Sequence, residues 1–112
     1  MADRVRRAPS PIHGFGCFAR VGIQAGEWIG RYEGPDAAED GTYVLWVYDA
    51  EGQRHAGRDG RNLLRWLNHS PDPNAVFDAF ELYARRAIAP GEEITIDYSG
   101  SADSAPDPAS LD

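Results

Sequence analysis

The chain contains no lysine, and all eleven of its basic residues are arginine. It contains one cysteine, Cys17, which excludes an intrachain disulfide and a multi-cysteine zinc site and fits a reducing compartment. Long apolar runs are absent, so no helical membrane span is expected. The opening residues Met1–Ala2–Asp3–Arg4 lack the apolar core of a secretory signal peptide. These absences together give the expectation of a soluble, cytoplasmic protein that does not engage a membrane. Positive charge is outweighed as well. A net charge of −7 argues against direct nucleic-acid binding and leaves room for a cationic partner such as a basic peptide.

What is present suffices for one modest core: 42% of the 112 residues are hydrophobic and twelve are aromatic. A single domain is expected over residues 1–99. From Gly100 to 112 the composition falls almost wholly to Ser, Ala, Asp and Pro, which predicts a disordered tail.

The chain is organised around Arg65–Trp66–Leu67–Asn68–His69–Ser70–Pro71–Asp72–Pro73–Asn74, where an apolar run breaks into polar residues. Two readings stand. Asn68, His69 and Ser70 can cap a short helix ahead of an ordinary turn at Pro71–Asn74, or they enter a core directly behind Leu64, Trp66 and Leu67 and need hydrogen-bond partners there.

Around this stretch the pattern is mainly β. Met1–Arg7 offers at most an edge strand. Gly14 and Gly16 flank Phe15 just before a strand and permit close backbone approach or positive φ. Ala25–Gly26 predicts a turn into a strand carrying Trp28 and Ile29. Asp36–Gly41 is an acidic loop. Thr42–Tyr48 is the most hydrophobic run and predicts a strand buried on both faces. Leu63, Leu64 and Leu67 have helical spacing over at most about two turns. Ala75–Phe80 and Glu81–Ile88 predict two strands, and Pro90–Gly91 turns into Glu93–Tyr98, where Ile94 and Ile96 alternate with Thr95. Phe18–Ile29 echoes Tyr83–Ile94 in register, which predicts two similarly built β-hairpins.

Four pieces in order resemble the SET domain of protein-lysine methyltransferases: Gly14–Phe15–Gly16–Cys17–Phe18–Ala19, Gly30–Arg31–Tyr32–Glu33–Gly34, Arg65–Ser70 with Pro73–Asn74, and Gly91–Tyr98. The resemblance covers Ala8 to Tyr98 and implies a mainly β fold of several small curled sheets, short helical turns and a C-terminal pseudoknot, of the minimal bacterial type. It also implies S-adenosylmethionine as cofactor and a lysine of a basic protein or peptide as acceptor. By position, Phe15, Gly16, Cys17, Arg65, Asn68, His69 and Tyr98 would hold the cofactor. Tyr98 and Tyr32 would be catalytic, and Tyr32, Phe77 and Tyr98 would line the lysine channel. No metal is implied.

These residue types suit the chemistry. Methyl transfer from a sulfonium is an in-line displacement that depends on positioning and electrostatics. Holding a lysine of pKa about 10.4 neutral at pH 7 costs roughly 4 to 5 kcal/mol, and an aromatic channel beside a positive sulfonium lowers that pKa. Each residue also has a plainer role: Tyr32 and Phe77 as core aromatics, His69 as a satisfied histidine, and Tyr98 as a packing residue. His13, Cys17, His55 and His69 lack zinc-site spacing.

Three departures bear on the channel. Pro71 follows Asn-His-Ser where many family members have cysteine, no cysteine-rich segment follows Tyr98, and Gly100 stands where an aromatic often limits methylation state. The tail, the substrate or a second copy in a homodimer would then close the channel. The rival reading is a non-catalytic SET-like peptide-binding module. A hydrolase finds no nucleophile elbow.

Overall fold

The computed structural model describes residues 4–98, so the boundary expected at 99 and the tail expected from Gly100 lie outside the described residues. Nine short strands and one 3-10 turn make three small sheets. The first sheet runs in the order β1 (Val5–Pro9), β2 (Phe15–Ala19), β9 (Glu93–Ile96), β6 (Asn68–His69). The second is β3 (Trp28–Arg31), β8 (Glu81–Ala84), β7 (Ala75–Asp78), and the third is the hairpin β4 (Val44–Tyr48) with β5 (Arg54–Asp59). Val5–Pro9 is an edge strand, and the proline that ends it cannot donate to a ladder.

β9 lies between β2 and β6, antiparallel to the first and parallel to the second. Paired on both sides, it buries Ile94 and Thr95 together, although the two side chains point to opposite faces. Ile94, Ile29, Leu64, Leu82 and Ile88 are the largest apolar side chains almost wholly removed from water. Each contributes about 1.5–3 kcal/mol of burial.

The echo between Phe18–Ile29 and Tyr83–Ile94 does not make two hairpins. Each copy pairs with the other. Ile23 N–H donates to Ile88 O at 2.9 Å and Ile88 N–H returns to Ile23 O at 2.8 Å. Gly26 N–H reaches Ala84 O and Gly91 N–H reaches Ala19 O, both at 2.8 Å. Gly26 (φ 81°) and Gly91 (φ 84°) take the left-handed turn that each copy needs. A hairpin would satisfy each copy's backbone locally; the reciprocal pairing does so across the molecule and thereby inserts β9 beside β6.

Two further expectations are corrected. β4 is not buried on both faces: it has a partner on one side only, and Trp46 alone is buried. Leu45 packs against the main core, whereas Trp46 is covered within the hairpin and its flanking loop, with its ring against Gly57, the Arg54 guanidinium 4.1 Å from the ring centroid and the indole N–H on Asp40 at 3.1 Å. The helical turns expected over Gly60–Leu67 shorten to one 3-10 turn over Leu63–Trp66. Gly60 and Arg61 are held by Tyr43 O and Glu33 O, and Leu67 is already extended into β6, so no second turn forms. Asn68–His69 is therefore strand, not helix cap. Among the described residues no helix is long and apolar enough to cross a membrane.

Candidate active site

Gly14, at φ 47°, turns the chain so that Ser10 N–H meets Gly14 O at 2.8 Å. This loop presents the carbonyls of His13 and Phe15 to Asn68, whose Nδ2 donates to them at 3.1 and 3.0 Å and to Glu93 Oε2 at 2.9 Å. Asn68 itself is buried. A Cβ at Gly16 would lie 2.3 Å from Glu93 Oε2, so a side chain there would push that carboxylate from its place. Phe15, Gly16 and Asn68 thus meet around a carboxylate that the sequence reading did not single out.

β6 and β9 run parallel in the register Asn68↔Thr95 and His69↔Ile96. The register continues through Ser70 N–H to Ile96 O at 2.9 Å. It sets His69 beside Tyr98: Tyr98 N–H donates to His69 Nδ1 at 3.1 Å and the rings lie 5.3 Å apart. Because Nδ1 accepts, the proton of a neutral His69 sits on Nε2. Tyr98 Oη donates to Leu67 O at 2.5 Å. Burial, reinforced by the neighbouring Cys17 and Glu93, pushes the phenol up to about 12. Tyr98 is therefore a neutral hydrogen-bonding group at physiological pH.

Tyr32 and Phe77 are both buried and meet edge to face, with centroids 5.7 Å apart. Tyr32 Oη donates to Tyr43 O at 2.5 Å, in a space that exists because residue 60 is glycine: a Cβ there would lie 2.3 Å from the hydroxyl. Burial first, then the Asp59 carboxylate, raises the Tyr32 phenol well above its ordinary value. Tyr32 and Tyr98 are within electrostatic reach of each other, and Tyr98 is within reach of Glu93.

Two predicted residues border this cluster, Cys17 within electrostatic reach of Tyr98 and Glu93 and Arg65 within reach of Tyr32. Arg65 lays its guanidinium 4.0 Å from the centroid of the Tyr43 ring, and its Nε is buried with no hydrogen-bond partner among the described residues. Tyr43 and Arg65 line an open groove of about 580 Å³ together with Asp36, Glu39, Asp40, Asp59 and Arg61, with Asp59 paired to Arg61 and Asp40 to Arg54. Cys17 lies in the core with its Sγ donating to Leu63 O at 3.0 Å, and burial pushes the thiol up to about 12, so only its main chain faces the cluster's strand. The Phe15 ring is 43% exposed and packs on Trp66.

Sequence reasoning passed over Glu93, Tyr43, Gly60 and the role of Asn74. Asn74 is 2% exposed and acts as a substitute strand for β9: Nδ2 donates to Glu93 O at 2.8 Å and Oδ1 accepts from Thr95 N–H at 2.9 Å. The alternation along Glu93–Ile96 signals a polar face on this strand, which is the cue that could have found Glu93. Among the described residues no three of His, Cys, Asp and Glu come together to hold a metal ion.

The profile of the SET domain family matches residues 14–99. Histone-lysine N-methyltransferase TRX1 of Oryza sativa subsp. japonica is 32% identical over 119 aligned residues, covering 85% of this chain and 11% of that protein. The chain thus spans about a tenth of the length of that relative. Among solved structures, the methyltransferase domain of human PR domain-containing protein 2 superposes with a TM-score of 0.66 at 23% identity, covering 90% of this chain and 80% of that one. A chain of an active polycomb repressive complex 2 in its basal state superposes with a TM-score of 0.72 at 26% identity, covering 87% of this chain and 15% of that one.

Proposed function

The chain belongs to the SET-domain family, and from that premise we propose that it is a protein-lysine N-methyltransferase that uses S-adenosylmethionine and acts on a basic protein or peptide. The observation that carries this reading is the convergence on β9 of the Gly14–Gly16 loop, Asn68–His69 and Tyr98, beside the Tyr32–Phe77 pair. The set of hydrogen-bond acceptors suits a cationic amino-acid-bearing cofactor. The oxygens of His13, Phe15 and Glu93 converge on the Asn68 amide nitrogen, and a side chain at Gly16 would displace the Glu93 carboxylate from it.

Phe15 and Gly16 through their main chain, with Asn68 and His69, would hold the cofactor, which supplies an electrophilic methyl group on a sulfonium. Tyr32 and Phe77 would exclude water from the acceptor and so favour the neutral amine over the ammonium. The Tyr98 hydroxyl, neutral and held by the Leu67 carbonyl, would aim the nitrogen, and it need not act as a base. The groove beside Tyr43 carries four carboxylates against the two arginines Arg61 and Arg65, a modest acidic excess that favours a basic peptide. Because the rice relative is named a histone-lysine N-methyltransferase, a histone-type tail is the first substrate to try.

The test is calorimetric titration with S-adenosylmethionine followed by methyl incorporation into histone tails and a mixture of basic proteins. Binding with transfer to lysine supports the proposal. Binding without transfer to any of them favours the peptide-binding module, and absence of cofactor binding removes the enzyme reading.

A further inference from the structure

Tyr32 is held at three atoms. Its N–H donates to Phe80 O at 2.7 Å, its hydroxyl donates to Tyr43 O at 2.5 Å, and its carbonyl accepts from Arg58 Nη1 at 2.7 Å. The first partner sits in the turn between β7 and β8, and the other two belong to the β4–β5 hairpin: Tyr43 directly precedes β4, and Arg58 lies on β5. β3 ends at Arg31, so no strand ladder supplies a donor for the Tyr32 carbonyl, and the Arg58 side chain supplies it instead.

The hairpin register aims Arg58 at this carbonyl. Arg58 is paired with Leu45, which packs against the main core, and cross-strand partners share a face of the sheet. Arg58 therefore points inward from a strand whose outer edge is fastened to the segment leaving Tyr32, through Asp59 N–H on Pro35 O and Ala37 N–H on Gly57 O at 3.0 Å each. Its guanidinium lies 4.0 Å from the centroid of the Phe80 ring, and the Phe80 carbonyl is the one that holds the Tyr32 N–H. Among the described residues Arg58 forms no ion pair. A planar fork stacked on a ring presents its donors in a fixed direction, and here one of them meets a neutral carbonyl.

Resting on the function proposed above, we infer that Arg58 is a positioning residue for methyl transfer. It acts through Tyr32: with Tyr43 it fixes that residue from the hairpin side at both its carbonyl and its hydroxyl, so that the ring meets Phe77 edge to face at 5.7 Å. In-line transfer is sensitive to small displacements of the acceptor, and this pair lines the acceptor's channel. The residues assigned to the cofactor at Gly16, Asn68 and His69 belong to a different sheet, so loss of Arg58 reaches the acceptor side and spares the cofactor side.

The test is steady-state transfer to the histone-tail peptide that the wild-type chain methylates, with calorimetry of S-adenosylmethionine binding, on the full chain and its Arg58→Met and Arg58→Lys variants. Methionine keeps an unbranched stem against the Phe80 ring and removes the donor; lysine restores a charged donor without the planar fork. The expected result for Arg58→Met is a fall in kcat of roughly 10- to 100-fold, with a smaller change in peptide KM. Cofactor affinity stays within about twofold of wild type, and Arg58→Lys recovers most of the lost kcat. Wild-type kcat in Arg58→Met overturns the inference. So does an equal fall in both variants, which would assign the effect to the shape of the guanidinium and not to its donor, and so does a parallel loss of cofactor affinity, which would make the role purely structural. Should Arg58→Met melt before assay, Phe80→Leu removes the ring that directs the guanidinium; it is expected to show the same pattern at smaller size, and unchanged kcat there overturns the inference as well. A wild-type chain that neither binds the cofactor nor transfers a methyl group removes the enzyme reading and this inference together, whereas wild-type transfer with an indifferent Arg58→Met overturns this inference alone.

Discussion

Tyr98 and Leu67 are joined by a 2.5 Å hydrogen bond from phenol to main-chain carbonyl, across the seam where β9 meets the segment leading into β6. The bond holds a neutral hydroxyl at the end of the strand that also carries Glu93. Tyr98→Phe is expected to lower methyl transfer by on the order of 100-fold, to cost about 1 kcal/mol of stability, and to leave S-adenosylmethionine affinity near the wild-type value. Transfer of labelled methyl groups, urea titration and calorimetry check the three parts separately, and undiminished transfer would remove Tyr98 from the mechanism.

Gly60 leaves the space that Tyr32 occupies. Gly60→Ala brings a Cβ to 2.3 Å from the Tyr32 hydroxyl, so the ring must move and its bond to Tyr43 O must break. The expected cost is about 1–3 kcal/mol from overpacking, with transfer falling more than cofactor binding. A variant with wild-type melting temperature and wild-type transfer would show that Tyr32 does not need this position.

Asn74 stands in for a strand along β9. Asn74→Ala leaves the buried Thr95 N–H without its acceptor and Glu93 O without its donor. A loss of about 2–3 kcal/mol is expected, read as a lower urea midpoint. A change below about 0.5 kcal/mol, the size of an ordinary surface substitution, would mean that water replaces both bonds.

Alkaline pH should weaken the fold. Cys17 is raised from 9.0 to about 12 and Tyr98 from 10.0 to about 12, so both protonated forms are favoured by folding. Their contribution is complete below the unfolded values and is lost as pH rises from 9 toward 12. The melting temperature is expected to fall across that window, with Cys17→Ala removing the earliest part of the decline. In the native protein at pH 8 the thiol should resist Ellman's reagent until the chain unfolds, and fast labelling would contradict its buried placement.

The motifs at Gly14–Gly16, Asn68–His69 and Tyr98 were legible in the sequence because their residue types are unusual beside apolar runs, and because four pieces occur in one order. Glu93 was not legible as part of the site. In sequence it is one acid of a Gly–Glu–Glu turn, and only the pairing of β9 with β2 brings its carboxylate under Gly16. Thr42–Tyr48 misled in the opposite sense: its hydrophobicity predicts a central strand, but having one partner decided that it is not one.

The sequence by itself determined the β-rich character, the two glycine turns at Gly26 and Gly91, the edge position of the first strand and the residue types at the site, since each follows from local propensity and alternation. Tertiary structure alone decided that the two echoed segments exchange partners, that β9 lies parallel to β6, and that Glu93 has neutral donors while Arg65 lies over Tyr43. The physical reason is that backbone hydrogen bonds are made to whichever strand arrives. Periodicity specifies which face a residue takes but not which distant segment will meet it.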